Sequence, residues 1–154
     1  MNIGEKIQDF CLPDQQDNET CMSDMRGKWT VLYFYPKNDT KGCTLEALDF
    51  TKHSKDFANM NTTIVGISPD STESHQKFMK KHGLKIKLLS DPNNKIIKKF
   101  GAWQKKHMYG KEIMGVQRST FILDPYGRIM HKWPKVTVDG HAKEVKEKLH
   151  ELMS

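Results

Sequence analysis

Residues 29–50 read WTVLYFYPKNDTKGCTLEALDF. This stretch decides the fold, because a buried strand, a loop and a helix follow one another in it with a cysteine at the last junction. From Thr30 to Tyr35 the run is β-branched and aromatic, long enough for a strand buried on both faces, and Pro36 ends it. Residues 37–42 are polar and turn-forming. From Thr44 the apolar residues Leu45, Ala47, Leu48 and Phe50 recur at helical spacing, which predicts a helix over residues 44–58 with Cys43 in its first turn. Unpaired amide groups and the positive end of the helix dipole gather there, so the position favours a thiolate over a thiol. A nucleophilic cysteine is the natural reading.

Outward from this stretch, strands and helices alternate. Residues 10–12 and 20–22 form a short N-terminal hairpin, with 13–18 turning between them. After the helix come a strand at 63–68, a helix at 71–82 entered through Pro69 and Asp70, and a brief strand at Leu88 and Leu89. Residues 93–100 read as a short helix stopped by Gly101, 119–123 as a strand, and 124–127 as a turn into a strand at 128–131. The last helix covers 140–153, where Val145, Leu149 and Leu152 make one apolar stripe. The polar segment 102–116 reads as a loop near the active site, with Trp103 and Tyr109 as packing residues. Such alternation implies a layered α/β sandwich in a single domain spanning residues 1–154.

The spacing of Pro36, Thr40 and Cys43, P-x-x-x-T-x-x-C, resembles the active-site signature of the peroxiredoxins. YFYP followed by GCTLEA is similar to their bacterioferritin comigratory protein (Q-type) subgroup, and FCLPDQ, MSDMRGK, VGISPDS, LLSDPNNKIIKKFGAW and RSTFILDPYGRI extend the likeness along nearly the whole chain. The resemblance implies a thioredoxin-like three-layer sandwich carrying the N-terminal β-hairpin. It also implies a thiol peroxidase acting on hydrogen peroxide and organic hydroperoxides.

In that chemistry a thiolate attacks one peroxide oxygen in line while negative charge develops on the other, so donors must lie along the line. Cys43 would be the nucleophile and become a sulfenic acid. Thr40 has a hydroxyl able to hold the thiolate or the peroxide, and Pro36, lacking an amide hydrogen, would shield the sulfur. Arg118, just before the strand at 119–123, matches the family's active-site arginine and would stabilise thiolate and leaving alkoxide. The amides of Gly42 and Cys43 are further donors, and Glu46 falls where the subgroup often has Glu or Gln.

The chain departs from the family pattern at two places. Lys41 stands where many relatives have proline before Gly-Cys, and is read as pointing to water. Leu48 stands five residues after Cys43, where members with an intramolecular resolving cysteine commonly carry it. Cys11 and Cys21 alternate with Phe10, Leu12 and Met22, so both should face away from the core of the hairpin. They could resolve Cys43, pair together or take no part, and taking no part is the expectation. Thioredoxin or a small thiol would then reduce the sulfenic acid.

Composition narrows the rest. The net charge is +6, yet the lysines are scattered through 77–87, 95–111 and 143–148 without a nucleic-acid-binding motif, so attraction to acidic partner proteins fits better than nucleic acid. No apolar signal or membrane-spanning run is present, and Asn38 opens a sequon beside Cys43 that a secreted protein would glycosylate; a cytoplasmic location is expected. Three cysteines make no disulfide framework, and neither C-x-x-C nor a metal-ligand spacing occurs. The seven histidines form no triad. No metal or organic cofactor is expected, and the protein should be a monomer or weak homodimer. The alternative from another class is a peroxide sensor or chaperone-like binding protein in which Cys43 oxidation reports to a partner with little turnover.

Overall fold

Strand β3 (Trp29–Phe34) is the middle strand of a five-stranded mixed sheet in the computed structural model, which describes residues 1–154. On one side it pairs in parallel with β4 (Thr62–Ser68), which pairs with β5 (Lys87–Ser90). On the other it pairs antiparallel with β8 (Ser119–Leu123), which pairs with β9 (Ile129–Trp133). A central strand has both faces covered, which is why the run from Thr30 to Tyr35 is apolar without alternation and is buried throughout.

Alternate side chains of β3, continued by Tyr35 just beyond it, feed two cores. Val31, Tyr33 and Tyr35 meet Ala47 and Phe50 of α1 (Lys41–Lys52), Phe57 of α2 (Ser54–Asn59), Phe78 of α3 (Thr72–His82), and Val145 and Leu149 of α5 (His141–Met153). Leu32 and Phe34 face the other way, toward Ile96 and Ile97 of α4 (Lys95–Lys99), Phe100 and the N-terminal residues Ile7 and Met22. Helices, sheet and a second cover make the three expected layers.

The helix bearing Cys43 starts earlier and ends sooner than the apolar spacing predicts. Thr40 is extended (φ −89°, ψ 158°) and serves as N-cap, so Lys41 and Gly42 already belong to the first turn, and the helix breaks at His53 before α2. Helix α3 stands where expected, with Ser71 as its N-cap, the hydroxyl accepting from the Ser74 amide at 3.1 Å. The N-terminal hairpin consists of β1 (Cys11–Pro13) and β2 (Glu19–Cys21), paired in register Cys11 to Cys21.

Residues 102–116 are not a loop. They form a second hairpin of β6 (Trp103–Met108) and β7 (Lys111–Val116), turned by Tyr109 and Gly110 at φ 53° and 74°. Two consecutive positive φ values are those of a tight hairpin turn. The polar sequence hid it because both faces of the outer part meet water, leaving no alternation to read. Trp103 packs on the core as expected; Tyr109 does not, standing 98% exposed at the tip.

Candidate active site

Cys43 is the third residue of α1 and only 2% exposed. Its neighbour in space comes from the adjacent strand. The β3–β8 register sets Phe34 opposite Ser119, so Arg118 arrives beside the end of β3, where the chain leaves for Cys43. There the guanidinium divides its donors: Nη2 donates to the Cys43 Sγ at 3.4 Å and Nη1 to the Glu46 Oε1 at 2.7 Å. Glu46 lies one turn after Cys43, on the same helix face. Gly42 leaves room for this arrangement, since a Cβ at that position would sit 3.1 Å from Arg118 Nη2.

Glu46 is 1% exposed and its second oxygen, Oε2, has no hydrogen-bond partner. Burial pushes its carboxyl up to about 7, against the downward pull of the Arg118 charge. For Arg118 burial works against the charge, but Glu46 and Cys43 together outweigh it and raise its pKa. A permanent cation is thus held on the sulfur by a partner that it must share.

The other expected residues lie in the approach loop. Thr40 is exposed and its hydroxyl donates to the Lys37 carbonyl at 2.8 Å, with no bond to the sulfur. Its own carbonyl accepts the first helical bond, from the Thr44 amide at 2.9 Å. Pro36, half-buried, ends β3. Lys41 is exposed, as its flexible stem suggests. On β6, Lys106 has its pKa lowered by burial and then by the Arg118 charge, which puts the second hairpin within electrostatic reach of the site.

Behind the loop lies a polar cluster that sequence reasoning missed: Tyr35, Asn38, Asp70 and the fully buried His75. One signal was available. His75 shares the spacing of Phe78 and Met79 on α3, which places a histidine on an apolar stripe.

Cys11 and Cys21 do take part in something: they are joined in a disulfide, leaving Cys43 as the free thiol. Their direct pairing across β1 and β2 brings the sulfurs together, so the reading that they stay idle is replaced by a single bridge. The hairpin's Phe10 and Leu12 pack on the core opposite the one containing Cys43, so the sheet separates the bridge from the reactive sulfur. An Asp9 oxygen lies within 4.8 Å of both sulfurs, but a disulfide offers no thiolate to a metal.

Comparison with known proteins points the same way. The AhpC/TSA family model matches residues 3–132. Peroxiredoxin Bcp of Bacillus subtilis is 43% identical over 152 residues, which is 99% of this chain and 97% of that protein. The structure is similar to that of a cysteine-to-serine mutant of peroxiredoxin Q from Xylella fastidiosa, with a TM-score of 0.95 at 37% identity over 100% of this chain and 98% of that one. It is also similar to the bacterioferritin comigratory protein of Xanthomonas campestris, studied for alkyl peroxide reduction, with a TM-score of 0.89 at 37% identity over 94% and 92% of the two chains.

Proposed function

The chain belongs to the AhpC/TSA family, with the thioredoxin-like fold of the peroxiredoxins, and from that premise we propose that this thiol peroxidase reduces hydrogen peroxide and organic hydroperoxides at Cys43. The observation that carries the assignment is the Arg118 guanidinium placed on the Cys43 sulfur. The thiolate attacks one peroxide oxygen, an S–O bond forms as the O–O bond breaks, and the second oxygen leaves as hydroxide or alkoxide, which takes a proton to become water or an alcohol. Arg118 stabilises charge at both ends of that transfer. The amides of Gly42 and Cys43 and the hydroxyl of Thr40 hold the peroxide, and Pro36 limits approach to the sulfur.

An external thiol then condenses with the sulfenic acid, releasing water and forming a mixed disulfide, which a second thiol opens. With Cys11 and Cys21 bonded to each other, no further thiol in the chain is left for the task. Thioredoxin or a small thiol is the proposed reductant, working on a monomer or weak homodimer in the cytoplasm; no helix is long and apolar enough to cross a membrane. Stopped-flow peroxide consumption tests the assignment. Cys43→Ser should abolish turnover, and Arg118→Met should slow the first oxidation by about 10²-fold or more, the usual loss for one donor to developing charge. Substantial turnover in Cys43→Ser would refute the choice of sulfur.

A further inference from the structure

The loop between Pro36 and Gly42 carries the peroxide-facing residues, and it is pinned from behind by one side chain, Asn38, of which 7% is exposed. Its backbone amide donates to Asp70 Oδ2 at 2.8 Å. Its Oδ1 accepts from the Tyr35 hydroxyl at 2.6 Å, and its Nδ2 donates to Ser74 Oγ at 3.0 Å and to His75 Nδ1 at 2.9 Å. His75 Nε2 lies 2.9 Å from the Leu89 carbonyl, which can only accept. Nε2 therefore bears a hydrogen, and in the neutral ring Nδ1 keeps the lone pair that accepts from the Asn38 amide. Burial favours the same form, lowering the His75 pKa.

The next residue ties the loop to α3 from outside, Asp39 reaching Lys81 at 2.7 Å and His82 at 3.0 Å. That anchor is half in water, where ion pairs contribute little. The buried amide is the stronger restraint, because each of its polar atoms has given up water for a fixed partner.

We infer that Asn38 and His75 are positioning residues for the reaction of Cys43. The imidazole fixes the asparagine, and the asparagine fixes the loop so that Thr40 and the first amides of α1 meet the incoming peroxide in one arrangement. Neither residue touches the sulfur. The inference rests on Cys43 as the attacking atom.

Two readouts on the full chain separate positioning from mere folding: the stopped-flow rate of peroxide with Cys43, and the rate of Cys43 alkylation by iodoacetamide, which needs the sulfur but not the loop donors. Asn38→Ala and His75→Phe should slow the peroxide reaction by roughly 10- to 100-fold while changing alkylation by less than about threefold. His75→Asn places an oxygen where Nδ1 stood, so it should keep the peroxide rate within about threefold although it too loses the Leu89 bond. A rate in His75→Asn as low as in His75→Phe would overturn the inference. So would peroxide rates left intact in Asn38→Ala, or peroxide and alkylation rates falling together in every variant. Turnover surviving in Cys43→Ser would instead remove the premise, whatever the loop variants do.

Discussion

Arg118 serves two acceptors at once, and one of them is a poor home for charge. Glu46 keeps a bond to the guanidinium through Oε1, while Oε2 is buried without a partner, and its carboxyl titrates at about 7 instead of 4.5. An acid whose pKa is higher folded than unfolded binds its proton more tightly in the folded state. Its contribution to stability is therefore fully present below 4.5 and is lost as the pH rises through about 7. Glu46→Gln keeps an oxygen for Arg118 and abolishes the titration. Thermal melts across that window should show the wild type losing up to roughly 3 kcal/mol relative to the variant as the pH climbs. Parallel pH profiles for the two proteins would show that Glu46 ionises normally. Motif spacing singled out Cys43, Thr40 and Pro36 in the sequence and the family resemblance Arg118; of these the structure joins Arg118 to the Cys43 sulfur and leaves the Thr40 hydroxyl on the Lys37 carbonyl. The burial of Glu46 and the Asn38–His75 contact were not legible there, because they depend on how α1 and α3 lie against the sheet.

Elements were legible where burial imposes a period. The five sheet strands and the main helices stand within a few residues of their expected places, each with an apolar face or run to declare it. The hairpin β6–β7 has neither, and its one signal was the Tyr109-Gly110 turn. Helix α1 matters most for the reaction cycle. Its Leu48, at the position where a resolving cysteine commonly stands, is 37% exposed, while Ala47 and Phe50 fasten the helix to the sheet, Phe50 stacking on Tyr33 at 4.9 Å. Cys43 itself belongs to that core and is only 2% exposed, so its sulfur is packed in place at the first turn. A disulfide needs Cα atoms within roughly 7 Å, and the only other cysteines lie behind the sheet, bonded to each other. Oxidised Cys43 should therefore persist as a sulfenic acid. One equivalent of peroxide should give a mass gain of one oxygen and a dimedone adduct at Cys43, whereas a peptide linking Cys43 to Cys11 or Cys21 would make that cysteine the resolver.

Across the whole molecule, the two sulfur sites divide stability from reactivity. The pairing of Cys11 with Cys21 follows from hairpin register, which the alternation of Phe10, Leu12 and Met22 leaves open to slips of two residues. A bridge closing a sequence separation of 10 restricts the unfolded chain and stabilises the fold by about 3 kcal/mol in the chain-entropy account. The hairpin also ties the second cover to the sheet, through a bridge from Asp14 to Leu89 on the edge strand β5. Cys43 gains its partners from the other face, where Arg118 and α1 meet, and none of those contacts passes through β1 or β2. Replacing Cys11 and Cys21 together by serine should thus lower the melting temperature by roughly 6–12 °C for a chain of this size. The second-order rate of peroxide with Cys43 should stay within about threefold of wild type, and so should steady-state turnover with a dithiol reductant. Circular dichroism melts and stopped-flow traces on the same preparations decide the matter. A normal first oxidation followed by stalled turnover would mean that the hairpin sulfurs relay electrons to Cys43 after all, and an unchanged melting temperature would mean that the bridge does not hold the native fold together.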